Sequence, residues 1–189
     1  MKKGRIKRYR DYHPYHQLLG AAQMALESAE EEDPGYYYHQ MIAITFSALA
    51  FESIVNSFGN HFIKNWNDFE SARPKAKLRI VCDHFNIDPN FEEDPWSCVT
   101  WLMGFRNNIA HAKPEFIKFD KDMTETQFEK IKYEPPKSKI EKTISLPSAQ
   151  RAVKSIEMIK EIFCDQLSEN DWGNLLGDGF HGSSHTIMD

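Results

Sequence analysis

The stretch YYYHQMIAITFSALAFESIVNSFGNHFI, residues 36–63, determines how the rest of the chain must fold. It is longer and more apolar than any other segment with helical spacing, which predicts a central, deeply buried helix. Its most hydrophobic part, residues 41–51, is far shorter than the roughly 20 residues that span a bilayer, and the acid Glu52 follows at once. We therefore expect a core helix and no membrane segment. The side chains expected inside are Ile42, Phe46, Leu49 and Val55.

Four further segments carry apolar residues at helical spacing, and we expect a helix in each. The third helix of the chain begins near Pro74, and the fourth has Asp94 as N-cap and Pro95 at its first position. Together the segments predict an all-α protein, a helical bundle of about five helices. The four are HPYHQLLGAAQMALESAEEEDPG (13–35, ended by Asp33, Pro34 and Gly35), RPKAKLRIVCDHFNI (73–87), WSCVTWLMGFRNNIAHA (96–112) and SLPSAQRAVKSIEMIKEIFCDQLS (145–168).

The helical domain covers residues 13–168, with an irregular insertion at 115–146 before the last helix. Within the insertion, EFIKFD and KTISL alternate enough to predict short strands, and TETQFEKIKYE is compatible with a helical turn. Residues 1–12 form a basic N-terminal arm. Residues 169–189 are rich in glycine and polar side chains, so we expect a flexible C-terminal tail or a docking segment.

The charge is unevenly distributed along the chain. Residues 1–10 carry six Lys/Arg and no acid, whereas the whole chain has 23 Lys/Arg against 28 Asp/Glu and a net charge of −5. The chain after residue 10 is too acidic to bind polyanions in general. Any nucleic-acid contact must therefore be local, at a site or through the arm. The alternative for the arm is a solvated terminus. No apolar stretch follows the basic start, so we expect no signal peptide. Three widely separated cysteines favour a reducing, cytoplasmic setting.

Polar residues interrupt the apolar fourth helix near its end, in FRNNIAHAKPE, residues 105–115. Arg106 and His111 lie about 140° apart around the helix axis, and Asn107 stacks one turn before His111. An arginine can hold two phosphate oxygens, and a histidine can take a proton from a ribose 2′-hydroxyl or give one to the leaving oxygen. One histidine cannot easily do both in one turnover, but two copies facing across a two-fold axis could.

The same Arg-x4-His spacing occurs at Arg8–His13 and at Arg79–His84, so the interval alone does not identify a site. The pair in the fourth helix differs in its surroundings. Asn107 and Asn108 follow the arginine, small alanines flank the histidine, and Pro114 ends the helix just after. This context singles out the pair in the fourth helix.

The segment GFRNNIAHA (104–112) resembles the signature of HEPN domains, compact helical bundles in which an arginine, often followed by a polar residue, shortly precedes a histidine. The similarity extends over roughly residues 13–168 and includes a long apolar helix with an acid, here AFESIVN with Glu52. The resemblance implies a metal-independent endoribonuclease with active sites at a homodimer interface, often in toxin–antitoxin or antiviral defence systems. One branch has a tyrosine shortly after the histidine, where this chain has Lys113.

Carried over by position, the resemblance makes Arg106 and His111 the catalytic pair and Asn107 an accessory polar residue, acting on RNA without a cofactor. Glu52 would orient Arg106 or His111. An antitoxin or a regulatory protein is a further expected partner. The supporting and substrate-binding residues expected around the pair are Asn56, one turn after Glu52, with Asn108 and Lys113.

Two other interpretations stay open at this point. In the first, a non-catalytic module of the same kind binds a nucleotide or a protein partner through Arg106. In the second, the protein is a purely structural dimer in which Arg106 and His111 only cap the helix end, where cations suit the helix dipole. Independently of both, Glu52 and Asn56 could be a buried polar pair that satisfies backbone groups.

Other common site motifs are absent from the sequence. It contains no phosphate-cradling glycine loop, no HExxH and no dinucleotide fingerprint. His13/His16 and His181/His185 have spacings that could bind a metal, but no cysteine or acid obviously joins them, so we expect no metal site. Acid–base chemistry by histidine is left as the main catalytic option.

Overall fold

The computed structural model describes residues 3–31, 35–175 and 180–188, and most of their regular structure is helical. Five helices match the predicted ones, so the expectation of an all-α helical bundle is confirmed. Asp33 and Pro34, where the first helix was expected to end, lie outside the described residues. The elements are β1 (Lys3–Arg10), α1 (Tyr15–Glu30), α2 (Tyr36–Phe62), a 3-10 helix (Trp66–Phe69), α3 (Pro74–His84), α4 (Trp96–Ala110), α5 (Glu125–Ile131), α6 (Leu146–Cys164), α7 (Glu169–Leu175) and β2 (Phe180–Met188).

Helix α2 lies at the centre of the bundle, packed against α1, α3, α4 and α6, as its apolar length predicted. Its buried residues recur mostly three and four positions apart, which is the period of a helix face. Of the side chains expected inside, Val55 is buried, and Phe46 and Leu49 are partly buried. Ile42 is exposed to 37%, so that expectation is wrong. The two residues that follow Ile42 take the inward positions of that turn.

Helix α2 is the one described helix that is long and apolar enough to cross a membrane, with a mean hydropathy of 1.5 over its most apolar window. In this fold 56% of that window is buried inside the protein. The core helix of a soluble protein meets the same criterion, because a protein core and a bilayer both exclude water. The packing of α2 is therefore compatible with a soluble protein.

The turn after α2 folds a tryptophan back onto the helix. Asn65 has a left-handed backbone conformation, with φ of 59°, just before the 3-10 helix. The indole of Trp66, exposed to only 6%, then lies so close to α2 that a Cβ built at Gly59 would be 2.4 Å from its ring. Glycine is therefore required at position 59 by the close approach of the indole.

Helix α4, which carries the polar motif, is clamped to α6 at its N-terminus. The Asp94 carboxylate accepts hydrogen bonds from Arg151 Nε at 2.8 Å and Nη2 at 2.7 Å, and a third from the Ser97 hydroxyl. Hydrogen bonding to Arg151 lowers the pKa of Asp94 to about 2. The helix begins at Trp96 with Pro95 as its N-cap, one residue later than expected.

The insertion at 115–146 contains no strand, so the two short strands expected there are wrong. It contains α5 at the place where a helical turn was expected, and a capping box between Thr124 and Gln127 holds the start of this helix. A strand needs a neighbour for its backbone hydrogen bonds, and alternation of side chains supplies none. The insertion lies at the surface, where α5 buries no side chain and Phe116 is exposed to 96%.

The two ends of the chain are paired with each other. Strands β1 and β2 form an antiparallel two-stranded sheet. Ahead of β2, helix α7 docks on the bundle, because Leu175 is fully buried and its carbonyl oxygen accepts a hydrogen bond from the Tyr15 hydroxyl at 2.7 Å. Of residues 169–189, Glu169–Leu175 form α7 and Phe180–Met188 form β2, and a docking segment was one of the two expectations for this part of the chain. Local composition could not show a pairing between residues so far apart in sequence.

We expect Gly59→Ala to lower the free energy of unfolding by about 1–3 kcal/mol, because the added methyl group must displace the Trp66 ring. Urea unfolding followed by tryptophan fluorescence measures the change. The matched control is Gly20→Ala in α1, where a Cβ meets nothing within 4 Å. That variant should gain up to about 1 kcal/mol from helix propensity. Similar effects at both positions would contradict the packing argument.

Candidate functional site

An ion pair between Glu52 of α2 and Arg106 of α4 forms the centre of the candidate site. Arg106 Nη2 donates a hydrogen bond to Glu52 Oε2 at 2.8 Å and lies 2.7 Å from Oε1. Only 23% of the Glu52 side chain and 33% of the Arg106 side chain are exposed. Partial burial weakens the screening by water, so the carboxylate can hold the planar guanidinium in one orientation. The sequence-based expectation that Glu52 orients Arg106 agrees with this geometry.

Asn107 holds the guanidinium from a second direction. Its Oδ1 accepts a hydrogen bond from Arg106 Nη1 at 2.8 Å. Two contacts therefore position Arg106, and N–H donors of its guanidinium remain for a ligand, because the group carries five. Arg106 lines a cleft of about 260 Å³, which we call the Arg106 cleft. Its polar wall includes Glu52, Asn56, Lys77, Arg106 and Asn107.

Lys77 of α3 belongs to this cleft and was missed by the sequence analysis. Its Nζ donates a hydrogen bond to Asn56 Oδ1 at 3.1 Å and lies 5.8 Å from the centre of the Trp66 ring. Asn56 is thereby joined to α3, as well as lying one turn after Glu52. No local pattern near residue 77 signals this role. Lys77 reaches the cleft only because α3 packs beside α2.

A larger cleft of about 920 Å³ adjoins the Arg106 cleft along α2, and the two share Glu52 and Asn56. It extends along α2 as far as His61, whose Nε2 lies 2.9 Å from Asp171 Oδ1 of α7. Hydrogen bonds from Ser168 and His61 lower the pKa of Asp171. Helix α2 therefore presents a polar side to solvent between its buried faces. Of the residues on this polar side, only Glu52 and Asn56 were predicted from the sequence.

The other residues predicted from the motif lie at the exposed end of α4. His111 follows the last helical residue, and its backbone N–H donates to the Asn107 carbonyl oxygen at 3.0 Å. Its side chain is exposed and makes no hydrogen bond or ion pair within the described ranges. Asn108 and Lys113 are also exposed, and none of the three lines the Arg106 cleft. The predicted residues that the cleft brings together are Glu52, Asn56, Arg106 and Asn107.

These contacts do not support the interpretation in which the motif only caps the helix. That interpretation requires the side chains of Arg106 and His111 to bind the last carbonyl groups of α4. Arg106 binds the side chains of Glu52 and Asn107 instead. The His111 imidazole binds no carbonyl group in the part of the chain that the structure describes. Both groups are therefore available for a ligand.

The other pairs with the same spacing have structural contacts. The Arg79 guanidinium lies 5.2 Å from the centre of the Phe91 ring, and the His84 ring packs 4.9 Å from the Phe85 ring. His13 Nε2 hydrogen-bonds to a backbone carbonyl oxygen of α7 at 2.8 Å. The three pairs therefore differ in their structural contacts, although their spacing in the sequence is the same.

Metal-binding clusters and free thiols are two further kinds of reactive group that the described residues could supply. Within residues 3–31, 35–175 and 180–188, no three His, Cys, Asp or Glu side chains are grouped to hold a metal ion. Cys82, Cys98 and Cys164 are buried free thiols, and burial raises the pKa of Cys82 to about 12. A thiol that stays protonated is a poor nucleophile.

Comparison of the chain with protein-family models, with curated proteins and with solved structures gives no match. The resemblance of GFRNNIAHA to the HEPN signature therefore stays a prediction from the sequence. The chemistry of the site has to be argued from its own residues. These are a positioned guanidinium in a cleft, amide groups beside it, and an exposed imidazole at the end of the same helix.

We expect a double-mutant cycle on Glu52→Ala and Arg106→Ala to give a coupling energy of roughly 1 kcal/mol, since both side chains are partly buried. Urea unfolding of the wild type, the two single variants and the double variant measures it. The exposed pair Lys118–Asp120, with 72% and 77% of the side chains exposed, is the control and should show almost no coupling. Additive effects at Glu52 and Arg106 would mean that the contact does not hold the guanidinium.

Proposed function

We propose that this protein is a HEPN-type, metal-independent endoribonuclease that acts as a homodimer. The observation that carries the proposal is the Glu52–Arg106 ion pair, because it holds a guanidinium in a cleft beside the end of α4 that bears the exposed His111. A positioned cation for the phosphate and an available imidazole for proton transfer are the groups that cleavage of RNA by transesterification requires.

In the proposed reaction, Arg106 binds the non-bridging oxygens of the scissile phosphate, assisted by Asn107. One His111 takes the proton of the ribose 2′-hydroxyl, whose oxygen forms a bond to phosphorus. The bond between phosphorus and the 5′ oxygen breaks, and His111 of the second subunit gives that oxygen a proton. The products are a 2′,3′-cyclic phosphate and a free 5′-hydroxyl. The two imidazoles exchange protonation states, so atoms and charges balance without a metal.

The exposed side of α4 supports contact with a second copy. Thr100, Gly104, Asn108 and His111 are exposed and follow one another at helical spacing on this side. Gly104 has open space where a Cβ would lie, although glycine inside a helix costs about 0.5–1 kcal/mol relative to alanine. Close approach of a second α4 at Gly104 would account for the glycine and would bring two copies of His111 to one interface.

The setting and partners follow from the same proposal. We place the activity in the cytoplasm, where a reducing environment suits three free cysteines. Lys113, exposed just beyond His111, and the basic arm would add positive charge for the capture of RNA. The enzyme would act as a toxin or a defence effector under the control of an antitoxin or a regulatory protein.

A second function is favoured by a different observation, namely that His111 does not line the Arg106 cleft of its own subunit. A nucleotide could bind there with its phosphate on Arg106 and with no bond broken. A thermal-shift screen with nucleotides, run beside an RNA degradation assay, separates the two functions. Stabilisation by nucleotides without degradation of RNA would favour the binding module.

We expect His111→Ala to reduce RNA cleavage by at least about 100-fold, because proton transfer by the imidazole is lost. A 5′-labelled RNA incubated with excess EDTA and resolved on a gel measures the rate, and circular dichroism checks the fold. The matched control is His84→Ala, which removes an exposed histidine with the same spacing from an arginine. It should cleave like the wild type. Unchanged cleavage by purified His111→Ala would refute the mechanism.

We expect Gly104→Arg to convert the dimer to a monomer and to abolish cleavage, because a long charged side chain would occupy the proposed helix–helix contact. Within the subunit a Cβ at this position meets nothing within 4 Å and the position is exposed, so the fold should persist. Light scattering after gel filtration gives the mass. Gly173→Arg, on α7 and also with open space at the Cβ, is the control and should stay dimeric. A dimeric Gly104→Arg variant would place the interface elsewhere.

A further inference from the structure

The cations of the Arg106 cleft fix the orientation of its two asparagines. An ammonium group can only donate, so the atom of Asn56 that Lys77 Nζ meets at 3.1 Å must be the carbonyl oxygen. The same argument applies to Arg106 and Asn107, whose contact is 2.8 Å. In both asparagines the carbonyl oxygen is used and the amide N–H groups remain. Neither amide nitrogen makes a hydrogen bond to any described residue.

The cleft therefore presents mainly donors to a ligand. The ammonium of Lys77, the guanidinium of Arg106 and two amides donate. Of the Glu52 carboxylate, Oε2 accepts a hydrogen bond from Arg106, and Oε1 is buried and makes no hydrogen bond to a described residue. Glu70, which is exposed, is the other carboxylate of the lining. Arg106 and Asn107 are adjacent and serve a phosphate. Donors on α2 and α3 then remain for another part of a nucleotide, and the acceptor groups of a base match them.

We propose that Asn56 and Lys77 form a base subsite that selects uracil or guanine over cytosine or adenine. The inference rests on the proposed function, which identifies the ligand as RNA. Uracil O4 and guanine O6 are acceptors and can be bound by these donors. Cytosine and adenine carry an amino group at the same place. Its N–H groups would face the N–H donors of Asn56 and Lys77, so that donors on both sides would lack an acceptor.

The shape of the site favours an unpaired nucleotide. The Arg106 cleft of about 260 Å³ adjoins the cleft of about 920 Å³ along α2, so a base can enter the first while the chain continues in the second. In duplex RNA the pairing edges are occupied, and the deep major groove keeps side chains away from the bases. Among the described residues, Lys77 and Arg106 are the side chains of fixed positive charge that line these clefts. Hydrogen bonds to the base would add to the affinity that these two cations supply.

The test compares a labelled oligouridylate with an oligocytidylate, because the two bases differ in carrying a carbonyl or an amino group at this position. Fluorescence polarisation measures binding of each oligonucleotide to the His111→Ala variant, so that no RNA is cut. This variant should bind oligouridylate about tenfold more tightly than oligocytidylate. Adding Asn56→Asp replaces the donating amide with an accepting carboxylate of similar shape. We expect the preference to shift toward oligocytidylate by about tenfold.

Matched controls separate base recognition from charge and from misfolding. Gln166→Glu makes the same change from amide to acid at an exposed position outside the clefts and should keep the preference. Lys77→Met removes the second donor without adding a charge and should reduce the preference for oligouridylate. Circular dichroism confirms the fold of each variant, and Lys77→Met provides the result if Asn56→Asp does not fold.

A cleavage assay with the same oligonucleotides and with His111 intact distinguishes failure of the subsite proposal from failure of the ribonuclease proposal. A uridylate preference that Asn56→Asp reverses or Lys77→Met weakens supports the subsite, even if no RNA is cut and the ribonuclease proposal is lost. Equal binding of both oligonucleotides, binding of neither, or variants that behave like Gln166→Glu would overturn the subsite. Cleavage by the wild type would leave the ribonuclease proposal standing in those cases.

Discussion

The ion pair between Glu52 and Arg106 is the contact on which the arrangement of the site depends. It joins the core helix α2 to α4 at the point where both expose polar side chains to the Arg106 cleft. A half-buried guanidinium loses hydration, and the carboxylate offsets that cost while restricting the rotamers of a long side chain. At the other end of α4, the Arg151–Asp94 contact ties the same helix to α6. The position of one cation therefore follows from the packing of α2, α4 and α6.

The parts of the fold that the sequence predicted are those whose signal is local. Helix α2 is long and apolar, and the stripe of α6 repeats along its whole length, so both helices could be assigned from periodicity. The strands expected in the insertion failed because alternation does not supply a partner strand. The pairing of β1 with β2 was missed for the complementary reason, since each strand finds its partner at the opposite end of the chain.

The site divides in the same way. Arg106, Asn107 and Glu52 could be named from the sequence because they interrupt apolar helices, where polar residues need a reason. Lys77 and His61 could not, since each reaches the clefts only through tertiary packing, and Asp171, the partner of His61, lies on a helix 110 residues further along the chain. The excess of hydrogen-bond donors in the Arg106 cleft could be predicted from the sequence even less. It exists only because Lys77 and Arg106 occupy the carbonyl oxygens of two asparagines.

Helix geometry itself argues that a single subunit is not the complete enzyme that we propose. Two residues five positions apart lie about 140° apart around the axis, and Arg106 faces α2 while His111 stays exposed beyond the last turn of α4. Cation and imidazole thus meet different surroundings within one chain. A second copy that approaches the exposed side of α4 can supply an imidazole to a phosphate held by the first. In the enzyme that we propose, one subunit would suffice to hold the phosphate on its cation, whereas proton transfer would require the pair.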